Sequence, residues 1–185
     1  MTTRSDVLQE VLKDHNEIKQ LLADVELATG NQKRETFEQF VRKLAVHETA
    51  EQEVVHPLAR KAEASDIVEE RLTEEKEATR TLTDLSRMEL DSPSFQPMFE
   101  QLKADVIRHA SMEETEEHPK IRTAVNADQL EKLGAVYRAA EAAAPTRPHP
   151  HAPTSATGNL TVGPVVAIVD RARDAVRDAL QKLSA

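Results

Sequence analysis

The chain of 185 residues contains no cysteine. This absence excludes disulfide bonds, iron–sulfur clusters and thiolate zinc sites. Any metal ion would have to be held by imidazole and carboxylate groups, a ligand set that suits iron, manganese or zinc. Aromatic residues make up only 3% of the chain, so the core must be mainly aliphatic. Because there are only 4 glycines and long stretches of helical periodicity, helices are favoured over sheet.

The chain also lacks positive net charge and long apolar segments. Its formal net charge is −9 at pH 7, which argues against nucleic acid as the main partner. No stretch is long and apolar enough to span a membrane, and residues 1–6 lack the apolar run of a signal peptide. We therefore expect a soluble cytoplasmic protein without a membrane partner, as a monomer or weak dimer.

Apolar side chains recur at intervals of three and four residues over four long segments, which predicts four amphipathic helices. We expect helices at residues 5–28, 33–62, 65 to about 90, and 94–125, and a shorter one at 127–144. The predicted fold is all-α, with an up-down antiparallel four-helix bundle in residues 1–144. Residues 145–185 would form a C-terminal extension, with a Pro-rich linker at 145–159 and a short amphipathic helix at 164–183.

Glycine and small polar residues mark the expected helix ends. Gly30 and Asn31 predict a turn between the first two helices. Ser65 and Asp66 predict the N-terminal cap of the third helix, and Asn126 predicts the cap of the short helix.

A short histidine–glutamate motif occurs twice, near the C-terminal end of the second and fourth predicted helices. Residues 47–57 read HETAEQEVVHP and residues 109–119 read HASMEETEEHP. Each copy places a histidine and a glutamate four residues apart, hence on one face of a helix: His47 with Glu51, and His109 with Glu113. Two such helices facing each other would bring four metal-ligand groups to one point, which is the geometry of a two-metal site in a bundle.

Each copy of the motif closes with a histidine followed by a proline, and proline disturbs helix geometry. In an ideal helix His56 lies about half a turn away from the face of His47. A local bulge or kink at Pro57 could turn His56 back toward the site. His56 and His118, its counterpart in the second copy, are therefore second-rank candidate ligands.

The first and third predicted helices each carry one polar residue on the apolar stripe. His15 lies between Val11 and Ile18, and Glu75 follows Leu72 on the third helix. A buried glutamate is costly unless it is paired or bound to a cation. Taken singly, each candidate is more simply a core or solvent-facing residue, but together they indicate a metal cluster. The inward-facing candidates are His15, His47, Glu51, Glu75, His109 and Glu113.

The residue types fit a site for two metal ions. Two close cations repel each other and need bridging anions, a role that Glu51 and Glu113 could each fill. A helical bulge could instead turn Glu114 inward in place of Glu113. Imidazoles would occupy the outer positions and leave room for a small molecule such as O2, peroxide or NO. For His149 and His151 we expect no metal role, because their Pro-rich context gives no fixed geometry.

These features resemble the hemerythrin-like, His-His-Glu cation-binding family. The resemblance covers about residues 7–125 and is carried by Asp14-His15 and by the two motifs at 47–57 and 109–119. It implies a di-iron cofactor with an oxo or hydroxo bridge, and no catalytic residue beyond the metal ligands. The linker and the tail also look like extensions seen on actinobacterial members.

The third helix departs from the family pattern. Hemerythrins usually place histidine ligands there, whereas Lys76 stands where the usual histidine would fall, and Glu75 could substitute for it. A carboxylate in place of an imidazole adds negative charge and favours the ferric state, which argues against reversible oxygen carriage. His56 and His118 likewise replace the tyrosine or phenylalanine that commonly precedes the motif's proline.

Three functions remain open at this point. The first is a non-haem di-iron protein that binds or turns over O2, hydrogen peroxide or NO in oxidative or nitrosative stress defence, where catalase- or peroxidase-like activity would fit. The second is a non-catalytic iron or oxygen sensor or binding module, in which the C-terminal extension reports the metal state. The third is a purely structural helical bundle without metal. We expect the first.

Overall fold

The computed structural model describes residues 5–144, and this part of the chain is all-α, as predicted. Two five-residue π-helical segments, Glu51–Val55 and Glu113–Glu117, interrupt the second and fourth long helices. The α-helices in chain order are α1 (Val7–Leu27), α2 (Gly30–Ala50), α3 (His56–Lys61), α4 (Ser65–Leu85), α5 (Phe95–Met112), α6 (His118–Ala124) and α7 (Ala127–Ala143).

Each π segment joins two α-helices into one long element, so that α2 continues into α3 and α5 continues into α6. With α1 and α4 these elements form the predicted four-helix bundle, and α7 packs on α1 and α2. Among the described residues, no helix has the length and hydrophobicity needed to cross a membrane. The predicted linker at 145–159 and helix at 164–183 lie outside the described residues, so the division of the chain at residue 144 stays a prediction.

The predicted turn at Gly30 and Asn31 and the predicted cap at Ser65 and Asp66 are wrong, although α4 does begin at residue 65 as expected. Gly30 begins α2 with a φ of +56°, a left-handed conformation that suits glycine, so the turn lies before it and not at Gly30 and Asn31. Ser65 is the first residue of α4, after an N-cap at Ala64 that has no side-chain hydrogen bond. The predicted cap at Asn126 is confirmed, because its side chain accepts a hydrogen bond from the backbone of Gln129 in a capping box.

The core consists of two apolar clusters at different heights of the bundle. Val11 on α1 and Ala50 on α2 belong to one cluster, whereas Ile18 and Leu44 belong to the other. The second cluster includes all 4 phenylalanines of the chain, whose rings pack with centroids 5.4 to 6.3 Å apart. The layer between the clusters is polar. It contains His47 and Glu51 from the first motif and His109 and Glu113 from the second.

The packing of α7 against α1 depends on a glycine. A Cβ atom at Gly134 would meet the backbone carbonyl oxygen of Ser5 and would lie 3.1 Å from the carbonyl carbon of Asp6. Backbone atoms cannot move aside as the end of a flexible side chain can. The position therefore requires glycine because of close approach.

We expect Gly134→Ala to destabilise the protein by about 1–3 kcal/mol, because the added methyl group overpacks the contact between α7 and α1. This sign is opposite to the usual effect of replacing a helical glycine by alanine. Urea unfolding of the metal-free protein measures it. The control is Ala135→Gly at the exposed neighbouring position, where loss of helix propensity costs about 1 kcal/mol. A stabilised Gly134→Ala variant would contradict the proposed close contact.

Candidate metal centre

The two π segments change the direction of the residues that follow each motif. The backbone N–H of His56 donates to the carbonyl of Glu51, and that of His118 donates to the carbonyl of Glu113, five residues earlier in each case. Proline cannot donate the next helical bond, and its ring crowds the preceding turn, so the helix widens there. As a result both histidines point into the bundle, and each is at most 5% exposed.

Four carboxylates lie in the polar layer and are almost completely excluded from solvent. Glu51, Glu75, Glu113 and Glu117 are each at most 2% exposed. Within residues 5–144, the ion pairs of these four carboxylates are all with histidine side chains. Burying several carboxylates close together is costly unless a cation compensates their negative charge. Burial and the nearby charge of Glu113 accordingly raise the pKa of Glu51 well above its usual value.

Three imidazoles direct the same nitrogen, Nε2, toward the bridging candidates. The Nε2 atom of His47 lies 3.2 Å from Glu51 Oε2, and that of His109 lies 3.3 Å from Glu113 Oε1. His15 Nε2 lies between them, 3.2 Å from Glu113 Oε2 and 3.9 Å from Glu51 Oε1. The three rings thus converge on two carboxylates from α1, α2 and α5.

The other nitrogen, Nδ1, of His15 and of His109 is held by a carboxylate. His15 Nδ1 lies 2.8 Å from Glu114 Oε1, and His109 Nδ1 lies 2.9 Å from Glu74 Oε2. An Nδ1–H that donates to a carboxylate leaves the lone pair of Nε2 free, which is the usual way in which proteins orient a histidine ligand. Glu114 is therefore a partner of His15 and not an inward carboxylate; 29% of its side chain is exposed.

A phenol holds the Nδ1 atom of His47. Tyr137 of α7 places its hydroxyl oxygen 2.9 Å from this nitrogen and donates its proton to Asp14 Oδ2 at 3.0 Å. Because the hydroxyl has only one proton to give, its oxygen accepts from an Nδ1–H of His47. This tautomer again leaves Nε2 free to face Glu51. Burial would raise the pKa of Asp14, but the nearby His47 and Lys43 side chains outweigh it and lower this pKa.

The outer acids are each paired with a basic side chain. Lys19 lies 3.1 Å from Glu114, and Lys43 lies 2.6 Å from Asp14. Arg71 lies 3.3 Å from Glu74, which also approaches Arg108. These acids are thus compensated by lysine and arginine side chains, in contrast to the four inner carboxylates.

A third group lies beside the first two and contains a residue that the sequence analysis missed. His56 Nε2 is 2.7 Å from Glu75 Oε1, and His56 Nδ1 is 3.3 Å from Glu117 Oε1. Burial opposes protonation of His56, but these two carboxylates raise its pKa well above the usual value. Glu117 follows Glu113 by four residues, so its helical spacing is the signal that could have identified it.

Donor atoms from these residues form three clusters, in each of which they lie within 4.8 Å of one another. Glu113 belongs to all three, so its carboxylate is the shared element of the centre. The ring of His118 stacks on that of His15 with centroids 6.2 Å apart, and it is not in any of the three clusters. Burial lowers the pKa of His118 to about 4. The clusters are His15, His47, Glu51 and Glu113; Glu75, His109 and Glu113; and His56, Glu113 and Glu117.

Buried donor atoms without a hydrogen-bond partner test whether a metal ion fits. A buried polar atom without a partner is costly in a folded protein. In the described part of the chain such atoms also occur at the Arg71 guanidinium and the Ser92 hydroxyl, but most of them lie in this centre. Those in the centre are ligand types that bind iron, manganese or zinc. They are His15 Nε2, both oxygens of Glu51, His109 Nε2, Glu113 Oε2, Glu117 Oε2 and His118 Nε2. The residues therefore fit a bound cation.

A cavity of about 150 Å³ adjoins the centre between α1, α2, α4 and α5. Three imidazoles, those of His15, His47 and His109, line its inner end, and Lys19 and Arg108 line it farther out, where they are partly exposed to solvent. Since one water occupies about 30 Å³ of liquid volume, the cavity has room for a small molecule beside the Nε2 atoms. Its aliphatic wall consists of Ile18, Leu44, Ala78, Leu102, Val106 and Ala110.

The structure brings all eight candidate ligands into one polar layer, including the second-rank His56 and His118. Lys76, the position expected to replace a family histidine, is exposed, whereas the neighbouring Glu75 is buried in the centre. The carboxylate partners of the imidazoles and the hydrogen bond of Tyr137 were not predicted. They come from other helices, and the periodicity of one helix carries no signal for them.

The fold and the centre define a helical-bundle protein with a buried histidine–carboxylate site for cations. The family model of the hemerythrin HHE cation-binding domain matches residues 6–121. The chain therefore belongs to the hemerythrin HHE cation-binding family.

A protein named DNA nickase from Nostoc sp. strain PCC 7120 is 28% identical to the chain over 136 residues. The match covers 72% of this chain but only 39% of that protein. This relative comes from a cyanobacterium and gives no support to the expected actinobacterial origin. No solved structure matches the chain significantly.

The charge balance of the centre predicts opposite effects of Glu51→Gln with and without metal. In the metal-free protein the raised pKa of Glu51 means that stability falls as the pH rises above the ordinary pKa of a glutamate, about 4.3. Glu51→Gln removes this loss, so its gain in stability over wild type should be larger at about pH 8 than at about pH 5. With added metal the variant should gain less stability than wild type, because a donor is lost.

Thermal unfolding with chelator and with added iron or zinc measures both effects. The control is Glu38→Gln at an exposed position of the same helix, which should change neither the pH dependence nor the stabilisation by metal. Equal metal stabilisation in Glu51→Gln and wild type would exclude Glu51 as a ligand.

Proposed function

We propose that the chain is a non-haem di-iron protein that binds or turns over O2, hydrogen peroxide or NO in oxidative or nitrosative stress defence. The observation that carries the proposal is the burial of Glu51, Glu75, Glu113 and Glu117 in one layer. With neutral imidazoles these four carboxylates bring four negative charges, which two divalent cations would balance. A single divalent ion would leave the layer with uncompensated buried charge.

Two of the three donor clusters supply the proposed ligand sets. His15, His47 and Glu51 would hold one ion, and Glu75 and His109 would hold the second. Glu113 would be shared, because its two oxygens face His15 and His109 separately. His56, Glu117 and His118 would complete the surroundings of the ions. Bound iron would supply the capacity to exchange electrons with O2, peroxide or NO.

The surrounding residues have their own roles in this proposal. The cavity admits a small molecule to the Nε2 side of the imidazoles, and its aliphatic wall limits the water beside it. Glu48 also lines this cavity, where it accepts a hydrogen bond from Thr79. In the metal-free protein, burial and the charge of Glu75 raise the pKa of Glu48.

A non-catalytic iron or oxygen sensor or binding module is the second candidate. The matched Nostoc protein is longer, and the aligned segment makes up 39% of it, which is the pattern of a module within a larger protein. The nicking activity in that protein's name is not carried over, because a net charge of −9 opposes binding to the DNA backbone.

Metal analysis of the purified full chain, together with its visible spectrum, tests the proposal. We expect about two irons per chain, as the charge balance requires, with near-ultraviolet absorption that changes when peroxide or NO is added. Tight iron binding without consumption of peroxide or NO would favour the module. Absence of iron after reconstitution would contradict both. Supercoiled plasmid incubated with the iron-loaded chain should stay supercoiled.

The inner and outer glutamates of the second motif should differ in their effect on metal binding. Glu113→Gln removes a charge shared by all three clusters and should abolish tight binding of iron. Glu114→Gln alters only the partner of His15 and should weaken binding by roughly 10–100-fold. Competition with a chelator measures both affinities. Full iron occupancy in Glu113→Gln would exclude it as the shared ligand.

A further inference from the structure

Tyr137 is the only side chain in this sequence that is easily oxidised by one electron. The sequence contains one tyrosine, no tryptophan and no cysteine. These are the side chains that lose a single electron most readily, so the chain has one such group. It is completely buried, and it lies in hydrogen-bond contact with a candidate metal ligand.

The contacts of Tyr137 join it to the centre on one side and to a proton acceptor on the other. Its hydroxyl oxygen lies 2.9 Å from Nδ1 of His47, and the Nε2 atom of the same ring faces Glu51 at 3.2 Å. One imidazole ring therefore separates the phenol from the centre. Its hydroxyl proton already points at Asp14, 3.0 Å away.

We propose that Tyr137 is a one-electron donor to the metal centre, and that its phenol becomes a phenoxyl radical while Asp14 takes the phenolic proton. The proposal rests on the redox function proposed above. Oxidation breaks the O–H bond of the phenol, and the hydrogen bond to Asp14 lets the proton leave together with the electron. A buried phenol without such an acceptor would be left as a cationic radical in an apolar environment.

The proton has a route from Asp14 to the surface. Lys43 lies 2.6 Å from Asp14, 3.1 Å from Glu141 and 3.3 Å from Glu17. The side chain of Glu17 is 53% exposed, so this chain of contacts reaches solvent. Return of a proton along it would restore the phenol after reduction.

The oxidant is hydrogen peroxide, and the electrons balance. Reduction of one peroxide to two waters consumes two electrons and two protons. Tyr137 supplies one electron while its proton passes to Asp14, and the reduced metal centre supplies the second electron. Both protons that the peroxide consumes come from solvent, to which the phenolic proton is released. Tyr137 would thus complete peroxide reduction when the centre can provide only one electron.

The other two converging imidazoles offer an internal comparison. His15 and His109 have carboxylates on Nδ1, at 2.8 Å and 2.9 Å, and these cannot donate an electron in the same way. For His47 the phenol stands between the imidazole and Asp14, whose Oδ2 is 3.5 Å from Nδ1. A purely orienting role would need only the carboxylate. A redox role explains why a phenol lies between His47 and Asp14.

Because the chain has a single tyrosine, the test requires no mutation. Full-length protein grown with ring-deuterated tyrosine carries the label at Tyr137 alone. Iron-loaded, partly reduced protein is mixed with hydrogen peroxide, frozen rapidly and measured by electron paramagnetic resonance. We expect an organic radical signal whose hyperfine pattern narrows with the deuterated ring. A radical signal that deuteration leaves unchanged would overturn the proposal.

Two variants serve as matched controls. Tyr137→Phe keeps the ring and should lose the radical while retaining bound iron. Glu38→Gln, at an exposed position of α2 away from the centre, should keep the radical. Peroxide consumption by iron-loaded wild type without any radical would overturn the role of Tyr137 and leave the di-iron function standing. Absence of iron binding, or of any reaction with peroxide, would overturn both.

Discussion

The burial of carboxylates around Glu113 is the constraint on which the rest of this structure depends. Apolar clusters on both sides of the polar layer exclude water from it, so solvent cannot compensate its charge. Histidines compensate it only in part, because burial lowers the pKa of His47, whereas the carboxylates beside His56 raise the pKa of that ring. The outer acids are compensated differently, by Lys19, Lys43 and the buried Arg71. The layer is therefore divided into a neutral rim and an inner set of donors that requires cations.

The duplicated motif generates this layer, but the two copies are not used equally. Each copy has its π segment, and each directs a histidine inward before a proline. His56 then pairs with Glu75, whereas His118 stacks on His15. The residue before the histidine also differs, since Val55 belongs to the first apolar cluster and Glu117 enters the centre. One repeated backbone geometry thus produces two different environments because the facing helices, α1 and α4, carry different residues.

Helix periodicity predicted the all-α fold and placed the candidate ligands on inward faces. It also favoured Glu113 over Glu114, and the structure buries the former and leaves the latter partly exposed. Periodicity gave no signal for contacts between side chains of different helices. The contact of Glu74 with His109 joins α4 to α5, and that of Tyr137 with His47 joins α7 to α2. The start of α4 at Ser65 was predicted, but the side-chain cap expected from Ser65 and Asp66 is not formed, because the N-cap position is Ala64.

The contacts of α7 determine how much of the chain belongs to the metal centre. The family match stops at residue 121, before α7 begins, so a match to the family alone would define the centre without this helix. Yet Tyr137 determines which nitrogen of His47 faces the centre, and Gly134 lets α7 approach α1 closely enough to place that phenol. Without α7, Asp14 would remain the nearest partner of Nδ1, at a longer distance of 3.5 Å. The geometry of the centre is therefore a property of residues 5–144 as a whole, and the additional helix has a chemical role besides covering the core.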